Sequence, residues 1–321
     1  MAHDITAKQI IEKTISKLEK DSIIPFLSLS PILVIIHTSE MPSGEQSYLK
    51  SLKKTAEKYG VEILDEVADS PFTVIECIKK AKFNHSVQGV MIISDYGNIT
   101  RTLYDAIPLR LDIDGLSSYS LGKLLDNPSV IAYRQAPCTA VACLKIMQEI
   151  SRETKTPLAG KRAAIISRSI RVGRPLAELL LQQDMSVSVF HSKACNFGIH
   201  DYDYDYFISA IGQPHYWDKD SLSIPSYAST HYIDAGISVN EEGKVCGDIS
   251  PDVLEKASTW NPCYLTPVPG GGGKVTTTVI FAKLFHNAAE YFVNSSGDNL
   301  TSIFTNKNDF EIKLPENVKP L

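Results

Sequence analysis

Four short apolar runs set the strongest limit on how this chain can fold. Two of them, PILVIIH at 31–37 and VQGVMII at 87–93, lie in the first third of the chain; RAAIIS at 162–167 and SVSVF at 186–190 lie near its middle. PILVIIH, a continuous run with β-branched enrichment, is typical of a strand buried on both faces of a parallel sheet, and the other three runs also indicate strands. Because parallel neighbours need a crossover connection, usually a helix, the sequence predicts an α/β fold.

Helical patterns separate these runs in the first half of the chain. Residues 7–20 place their apolar side chains on one face of an opening helix, and residues 46–59 form a helix that should end at Gly60. A strand at 61–67 and a helix at 70–83 follow. The predicted order is therefore a helix and then a β-α-β-α-β unit.

The α/β pattern restarts in the second half. Residues 131–137 are predicted to be extended and Thr139 to cap a helix that ends near Arg152, after which residues 154–160 form a linker. A helix at 174–182 then connects the third apolar run to the fourth. A second β-α-β unit therefore begins after the linker.

Two α/β domains follow from this alternation. The first covers residues 1–150 and is completed by a C-terminal helix at 276–293. The second covers residues 151–275 and contains further short strands at 206–210 and 231–234, each followed by a glycine. Strand ends of this kind face the ligand crevice of a dinucleotide-binding sheet, so the second domain is predicted to be a Rossmann-type parallel sheet.

Composition excludes several classes of function. The chain has 321 residues, 43% of them hydrophobic and 21% charged, which is enough for two buried cores. A net charge of -5 offers no polybasic surface for nucleic acid or anionic lipid. The N-terminus has no basic segment followed by an apolar one, and no apolar run approaches the ~20 residues of a membrane helix, which predicts a cytoplasmic protein. Residues 294–321 form a polar tail of unassigned role.

The six cysteines occur without a C-x-x-C pair or a histidine at metal-ligand spacing, so we predict reduced thiols and no metal site. Cys138, in a Pro-Cys-Thr turn, could be a nucleophile, but a structural thiol beside a helix start is the favoured interpretation. The alternating residues Asp201, Asp203 and Asp205 could bind a metal on one strand face. A solvated acidic edge is favoured there.

The segment SRSIRVGRP at 167–175 joins a predicted strand to a predicted helix. Backbone amides at a helix N-terminus hold phosphates, and Arg168 and Ser169 suit an anion, although a merely exposed loop would have the same composition. About 20 residues further on, where an NAD enzyme carries an acidic residue for the ribose, the next strand ends in His191 and Ser192. No carboxylate would repel a 2′-phosphate there, so the sequence favours NADP over NAD.

At this point several segments resemble one known family, the methylenetetrahydrofolate dehydrogenase/methenyltetrahydrofolate cyclohydrolases. SRSIRVGRP followed by FHSKACN is similar to the family pattern GRSxxVGxP followed by CHSxT. Further matches occur in the same order along the chain, over roughly residues 1 to 293. They are DIDG at 112–115, PCT at 137–139, AIGQP at 210–214, DAGI at 234–237, GD at 247–248 and TPVPGG at 266–271.

The resemblance implies a folate-facing N-terminal domain, a cofactor domain with an open parallel sheet, a cleft between them, and a homodimer. It also implies hydride transfer from 5,10-methylenetetrahydrofolate to NAD(P), followed in bifunctional members by hydrolysis of the methenyl product.

The same resemblance assigns candidate site residues. Tyr48 would stack on the aminobenzoyl ring of the folate and Asp114 would hydrogen-bond the pterin, which makes these two the candidate catalytic residues. The backbone at Pro269, Gly270 and Gly271 would approach the substrate closely. The candidate cofactor-binding residues are Ser167, Arg168, Ser169, Gly173, Ser192, Gly212 and Ile237.

Two residues depart from the family pattern where its chemistry is expected. The activating lysine of the family lies four residues after the tyrosine, on the same helix face, and that position is Leu52 here. Lys53 is one position off and should point about 100° around the helix. The glutamine that pairs with the family lysine is replaced by Ile93. Lys274, in the glycine-rich segment, could replace the lost charge, but an exposed loop lysine is the favoured interpretation.

Hydride transfer chiefly requires two ligands held in a near-attack geometry, whereas hydrolysis of the methenyl bridge requires water activation. We therefore expect NADP-dependent oxidation of methylenetetrahydrofolate without cyclohydrolase turnover. The alternatives are a non-catalytic ligand-binding or regulatory paralogue, and a family member with a different substrate.

Overall fold

A computed structural model describes residues 7–126, 134–193, 204–222, 230–253 and 263–296. The chain forms two compact units. The first unit contains the described parts of Met1–Ile15 and Thr139–Thr276, and the second contains those of Ser16–Cys138 and Thr277–Leu321.

The main helices and strands follow one another in the predicted alternation. In chain order they are α1 (Lys8–Ser22), β1 (Ile32–His37), α2 (Ser43–Tyr59), β2 (Glu62–Val67), α3 (Pro71–Phe83), β3 (Val87–Ile92), α4 (Thr100–Ala106), α5 (Ser118–Asp126), α6 (Cys138–Thr154), β4 (Arg162–Ile166), α7 (Gly173–Leu181), β5 (Ser186–Phe190), β6 (Tyr206–Ser209), β7 (His231–Asp234), β8 (Ser238–Val239), β9 (Val245–Cys246) and α8 (Gly272–Ser296).

The second unit is built on a three-stranded parallel sheet in the order β2-β1-β3. β1 lies in the centre, and five of its six residues are buried, as its continuous apolar sequence predicts. The helix before β2 ends where expected: Gly60 takes the left-handed conformation at φ 66° and its amide bonds back to the last turn of α2. Ser70 caps α3 through the amide of Thr73.

The segment after α4 packs onto β3 and positions the DIDG motif. Asp112 forms an isolated bridge with Val90, parallel to β3. A Cβ atom on Gly89 would lie 2.3 Å from Ile113 and 2.8 Å from Leu284, so glycine is what allows both side chains to close over the strand. The core on the α3 and α4 side of the sheet contains Val34, Ile36, Val74, Ile78, Val90, Leu103 and Leu111, among others.

The first unit is built on a four-stranded parallel sheet in the order β5-β4-β6-β7. Its core includes Ala164, Ile166, Phe207, Trp217 and Tyr232. The rings of Phe207 and Trp217 pack edge to face, with their centroids 5.2 Å apart. β8 and β9 form a small antiparallel pair beside it. The predicted α/β class with parallel sheets is confirmed.

Three local expectations need correction or limits. Arg134 and Gln135 are helical rather than extended, and residues 131–133 lie outside the described part of the chain, as do Asp201, Asp203 and the tail from 297. α6 begins at Cys138, so Thr139 lies inside it rather than at its cap. The predicted domain boundary at residue 150 falls within α6 and stays a prediction.

The last helix also starts earlier than expected, at Gly272 instead of Thr276. The first turn of a helix makes few internal hydrogen bonds through its amides, so glycines can open a helix whose later turns are held by packing. Among the residues described, no helix is long and apolar enough to cross a membrane.

Candidate functional site

Each sheet has one place where its strand order reverses. In the first unit the chain moves from β4 to β5 on one side and then to β6 on the other; in the second it moves from β1 to β2 and then to β3. In open parallel sheets, ligands bind outside the carboxyl ends of the strands at this switch point. The two switch points therefore define where to look for functional residues.

The loop after β4 lies at the switch point of the first unit and contains three of the predicted cofactor residues, and a fourth, Gly173, begins α7. The hydroxyl of Ser169 accepts hydrogen bonds from the amides of Val172 (3.1 Å) and Gly173 (3.4 Å), and Ser167 donates to it at 3.2 Å. A Cβ on Gly173 would lie 2.1 Å from the Ser167 carbonyl oxygen, so only glycine fits this tight approach. Arg168 is exposed, so packing does not fix the orientation of its side chain.

The loop after β6, on the other side of the same switch point, is held by a buried carboxylate. Asp248 accepts hydrogen bonds from the amides of Ile211 (2.7 Å), Gly212 (2.9 Å) and Gln213 (3.0 Å). It also accepts one from the hydroxyl of Ser209 at 2.7 Å. Gly212 takes a φ of +76° within this turn. Asp248 thereby fixes the backbone that carries the predicted cofactor residue Gly212.

A second buried carboxylate, Asp234, lies beside Asp248. It accepts hydrogen bonds from the amides of Gly236 (3.0 Å), Asp248 (3.2 Å) and Ile249 (2.9 Å). Burial raises the pKa of Asp234 to about 7; the amide of Ile249 opposes this shift and the negative charge of Asp248 adds to it. The DAGI and GD motifs are therefore joined by two carboxylates in one buried network, a link that the motif spacing did not predict.

The glycine-rich segment of the first unit carries the predicted substrate-side backbone. Gly270 has a φ of +108°, and a Cβ on Gly271 would lie 2.3 Å from the Pro267 carbonyl oxygen. Pro269 follows a cis peptide bond. Lys274 is exposed, but it lies in the first turn of α8 rather than in a loop, and its Nζ is 4.0 Å from the position of a Cβ on Gly270.

The remaining predicted cofactor residues of this unit are accessible. Ser192 is exposed just after the end of β5, and His191 beside it accepts a hydrogen bond from the Lys193 amide at 3.1 Å. Ile237 is 50% exposed and its Cδ1 lies 3.5 Å from the position of a Cβ on Gly273. A large apolar side chain left half in solvent beside the glycine-rich segment is consistent with a ligand-facing position.

In the second unit the two aspartates of DIDG have different roles. Asp112 is buried, and its oxygens accept hydrogen bonds from the amides of Gly115, Leu116 and Ser117 at 3.0 to 3.2 Å. It also accepts one from the Ser120 hydroxyl at 2.7 Å. Asp114 is only half-buried. Asp112 therefore builds the turn, and Asp114 lies half-buried within it.

Helix α2 places Tyr48 and Leu52 one turn apart, as the sequence predicts. Tyr48 is half-buried, whereas Leu52 is completely buried and so belongs to the core. Lys53 points elsewhere: its ammonium pairs with Asp65 of β2, whose other oxygen is 2.8 Å from Nε2 of His37. Lys53 is therefore engaged in a separate cluster, which agrees with its being one position out of register.

The carboxyl ends of β1 and β3 bring together three polar residues that sequence reasoning missed. Ser94 is 2% exposed, and its hydroxyl donates to Glu45 Oε2 at 2.8 Å. The Ser94 hydroxyl oxygen also accepts hydrogen bonds from the amide and the hydroxyl of Thr38, both at 3.2 Å. Ile93, next to Ser94, is also buried. In the sequence, a polar residue directly follows each of the two apolar runs, Thr38 after the first and Ser94 after the second. That pattern could have identified this cluster.

Cys138 has the properties of a structural thiol. It has no exposed surface and donates to the Ile113 carbonyl oxygen at 3.2 Å. Burial raises its pKa to about 12. A thiol that stays protonated at neutral pH is a poor nucleophile, which supports the favoured interpretation.

Comparison with known proteins places this architecture in one family. A family model described as "Tetrahydrofolate dehydrogenase/cyclohydrolase, NAD(P)-binding domain" matches residues 137–292. The chain is 34% identical to the bifunctional protein FolD of Thermotoga maritima over 281 residues, 86% of this chain and 93% of that one. The chain belongs to the tetrahydrofolate dehydrogenase/cyclohydrolase family. The resemblance predicted from the motifs is confirmed.

Solved structures agree with this family assignment. The bifunctional FolD methylenetetrahydrofolate dehydrogenase/cyclohydrolase from Campylobacter jejuni matches with a TM-score of 0.74 and 25% identity, over 89% of this chain and 98% of that one. The Trypanosoma brucei methylenetetrahydrofolate dehydrogenase-cyclohydrolase, complexed with NADP and an inhibitor, matches with a TM-score of 0.70 over 91% and 97%. At 22% identity the second match shows the fold alone.

Proposed function

We propose that this family member oxidises 5,10-methylenetetrahydrofolate to 5,10-methenyltetrahydrofolate with NADP, and that it does not hydrolyse the methenyl product at an appreciable rate. The observation that carries the proposal is an asymmetry. The loops of the first unit have tight turns at a helix N-terminus that suit a dinucleotide, while Leu52 and Ile93, at the positions where the resemblance predicts the family lysine and glutamine, are apolar and buried.

The residues of the first unit fit a dinucleotide. The turn of Ser167 to Gly173 closes on the N-terminus of α7, where amides and partial positive charge favour a phosphate. Gly212 leaves open space beside its α-carbon, with no atom within 4 Å of an added Cβ. When bound, the cofactor would accept a hydride at its nicotinamide ring. The protein's part is to hold the two ligands in register and to exclude water.

The preference for NADP is supported by the end of β5. Ser192 and Lys193 are exposed there, and the residue that would accept the ribose hydroxyls in an NAD enzyme is not a carboxylate. Arg168 is exposed on the neighbouring loop. A 2′-phosphate would find a hydroxyl and positive charge at this position.

The folate side is supported by Tyr48 and Asp114. The half-buried ring of Tyr48 offers a face for an aromatic ligand, and Asp114 is a half-buried carboxylate in the turn that Asp112 builds. Removing a hydride from the methylene bridge leaves a positive charge shared by the two flanking nitrogens. Glu45, at the switch point of the second unit, adds a carboxylate that favours this charge.

Loss of the hydrolytic step has a physical cause. Attack of water on the methenyl bridge needs a group that takes up and returns a proton, which a lysine beside a glutamine provides. Leucine and isoleucine have no such group, and Lys53 is paired with Asp65. The oxidation needs no proton transfer, so it can survive both replacements.

The test is to follow reduced nicotinamide and methenyltetrahydrofolate separately after mixing purified protein with methylenetetrahydrofolate and either NADP or NAD. With NADP we expect both signals to rise together. The methenyl signal should then decay no faster than it does without the protein. Rapid loss of the methenyl signal would contradict the absence of hydrolysis. No reduction of either cofactor would contradict the dehydrogenase assignment and favour a ligand-binding paralogue or another substrate.

The predicted homodimer and cytoplasmic location accompany this proposal. Sedimentation equilibrium of the purified chain and imaging of a tagged copy would test them.

A further inference from the structure

A fully buried lysine in the second unit takes no part in the function described above. Lys283 lies in the middle of α8 and is 2% exposed. Its ammonium donates hydrogen bonds to the main-chain carbonyl oxygens of Ile113, at 3.2 Å, and Ala136. Within the described residues it has no carboxylate partner, so these carbonyls are what compensate its buried charge. A lysine kept under such conditions is costly unless its hydrogen bonds are well placed.

The two carbonyls belong to two turns that meet at this point. Ile113 is in the DIDG turn, and Ala136 directly precedes the Pro-Cys-Thr turn. The turns are in close contact, because a Cβ on Gly115 would lie 2.1 Å from the Gln135 carbonyl oxygen. Cys138 donates to the same Ile113 carbonyl at 3.2 Å. Lys283 therefore links α8, the DIDG turn and the start of α6.

These contacts fix the backbone on the N-terminal side of Asp114. On its C-terminal side, the amides of Gly115, Leu116 and Ser117 are held by Asp112. On its N-terminal side, the Ile113 carbonyl is held by Lys283 and Cys138. The carbonyl of residue 113 and the amide of residue 114 share one planar peptide group. Holding that carbonyl therefore sets the direction in which the Asp114 side chain leaves the turn.

We propose that Lys283 is a positioning residue for Asp114, orienting the pterin-binding carboxylate through the Ile113 carbonyl. The inference rests on the proposed function, since the role of Asp114 toward folate is part of it. Lys283 acts through the backbone and does not touch the substrate.

The principal test is Lys283→Met, which keeps the length of the side chain and removes its ammonium. Because Asp114 would be misaligned, we expect the KM for methylenetetrahydrofolate to rise about tenfold while the KM for NADP changes less than about twofold. Val279→Ala, a buried change on the same helix that removes no hydrogen-bond donor, is the control for lost stability. It should leave both KM values near wild type. A folded Lys283→Met protein with an unchanged folate KM would overturn the proposal.

A second pair of variants covers the case in which Lys283→Met does not fold. Cys138→Ala removes the other donor to the Ile113 carbonyl, and Cys138→Ser retains one. We expect Cys138→Ala to raise the folate KM about threefold and Cys138→Ser to restore it, with no effect on the NADP KM. Equal folate KM values for Cys138→Ala and the wild type would contradict the positioning role.

Hydrogen exchange separates this inference from the proposed function, since it needs no substrate. The amides of Gly115, Leu116 and Ser117 should exchange at least about tenfold faster in Lys283→Met, or in Cys138→Ala if that variant alone folds, but not in Val279→Ala. Unchanged exchange would overturn the inference whatever the enzyme catalyses. Faster exchange in Lys283→Met, together with a wild type that shows no folate turnover, would instead support the backbone role of Lys283 and contradict the proposed function.

Discussion

Ser94 donates a 2.8 Å hydrogen bond to Glu45, and this contact lies at the carboxyl end of β3, where the strand order of the second unit reverses. Ser94 is almost completely buried and also accepts two hydrogen bonds from Thr38, so the carboxylate of Glu45 is held in a defined place. Tyr48 follows Glu45 by one helical turn. The switch point of the second unit therefore carries a carboxylate on the same helix as Leu52, where the family resemblance predicts a lysine.

Glu45→Gln should slow the oxidation, because hydride loss leaves the folate positively charged and the amide no longer stabilises that charge. We expect kcat to fall about tenfold, consistent with one charge acting across several ångströms of partly solvated protein. Stopped-flow detection of reduced NADP measures the step. Glu57→Gln, at an exposed position of the same helix, is the matched control. Equal rates for Glu45→Gln and the control would exclude an electrostatic role.

Restoring the family pair should restore hydrolysis. The double change of Leu52→Lys and Ile93→Gln gives the switch point a protonatable group and its partner, so the methenyl product should decay faster than in the wild type. Leu52→Lys alone places an ammonium at a fully buried position and should lower the free energy of unfolding by about 2 to 4 kcal/mol. Methenyl absorbance and urea unfolding measure the two effects. A stable double variant with no gain in hydrolysis would contradict this explanation.

Ser192→Glu should reverse the cofactor preference. A carboxylate after β5 repels a 2′-phosphate and can accept hydrogen bonds from the ribose hydroxyls of NAD. The KM for NADP should rise more than about tenfold while that for NAD stays level or falls. Ser192→Ala separates the effect of the new charge from that of the lost hydroxyl. If the glutamate variant keeps the NADP KM of the alanine variant, the 2′-phosphate does not lie at residue 192.

Asp248→Asn should weaken cofactor binding. The carboxylate accepts three hydrogen bonds from the loop after β6 and one from Ser209 at the end of β6, and an amide group would face at least one of those donors with its own N–H groups. We expect the KM for NADP to rise about tenfold or more, with a lower melting temperature and little change in the folate KM. Asp218→Asn, an exposed change, is the control. A variant with normal NADP kinetics would show that the loop keeps its shape without this anchor.

Asp234 should make stability depend on pH. Its folded pKa of about 7 lies above the value of about 4 expected in the unfolded chain, so its contribution is fully present below pH ~4 and is lost as pH rises through ~7. The loss should be on the order of 1 to 4 kcal/mol. Calorimetric melting between pH 4 and 8.5 should therefore show a steeper decline for the wild type than for Asp234→Asn. Parallel curves would mean that Asp234 is ionised in the folded protein throughout.

The local chemistry of the sequence determined most of the fold. Continuous apolar runs predicted β1, β3 and β4 within one residue at each end, because a strand buried on both faces must be apolar throughout. The β-branched content of SVSVF predicted β5, which is a partly exposed edge strand. Gly60 ended α2 because few other residues adopt a left-handed backbone without strain. The motifs established the family for the same reason: they record short-range requirements for particular residue types at fixed spacing.

The start of α8 and the fate of the charged residues were decided only by the tertiary structure. Glycines at 272 and 273 oppose a helix locally, yet packing of the later turns extends α8 back to them. Lys283 looks like a solvated helix residue in the sequence, but its carbonyl partners are 147 and 170 residues away. The hydrogen bonds between Asp234 and Asp248 and between Glu45 and Ser94 also join residues that are not neighbours in the sequence. Propensity and spacing act over a few residues, whereas burial of a charge depends on which distant backbone groups the fold brings to it.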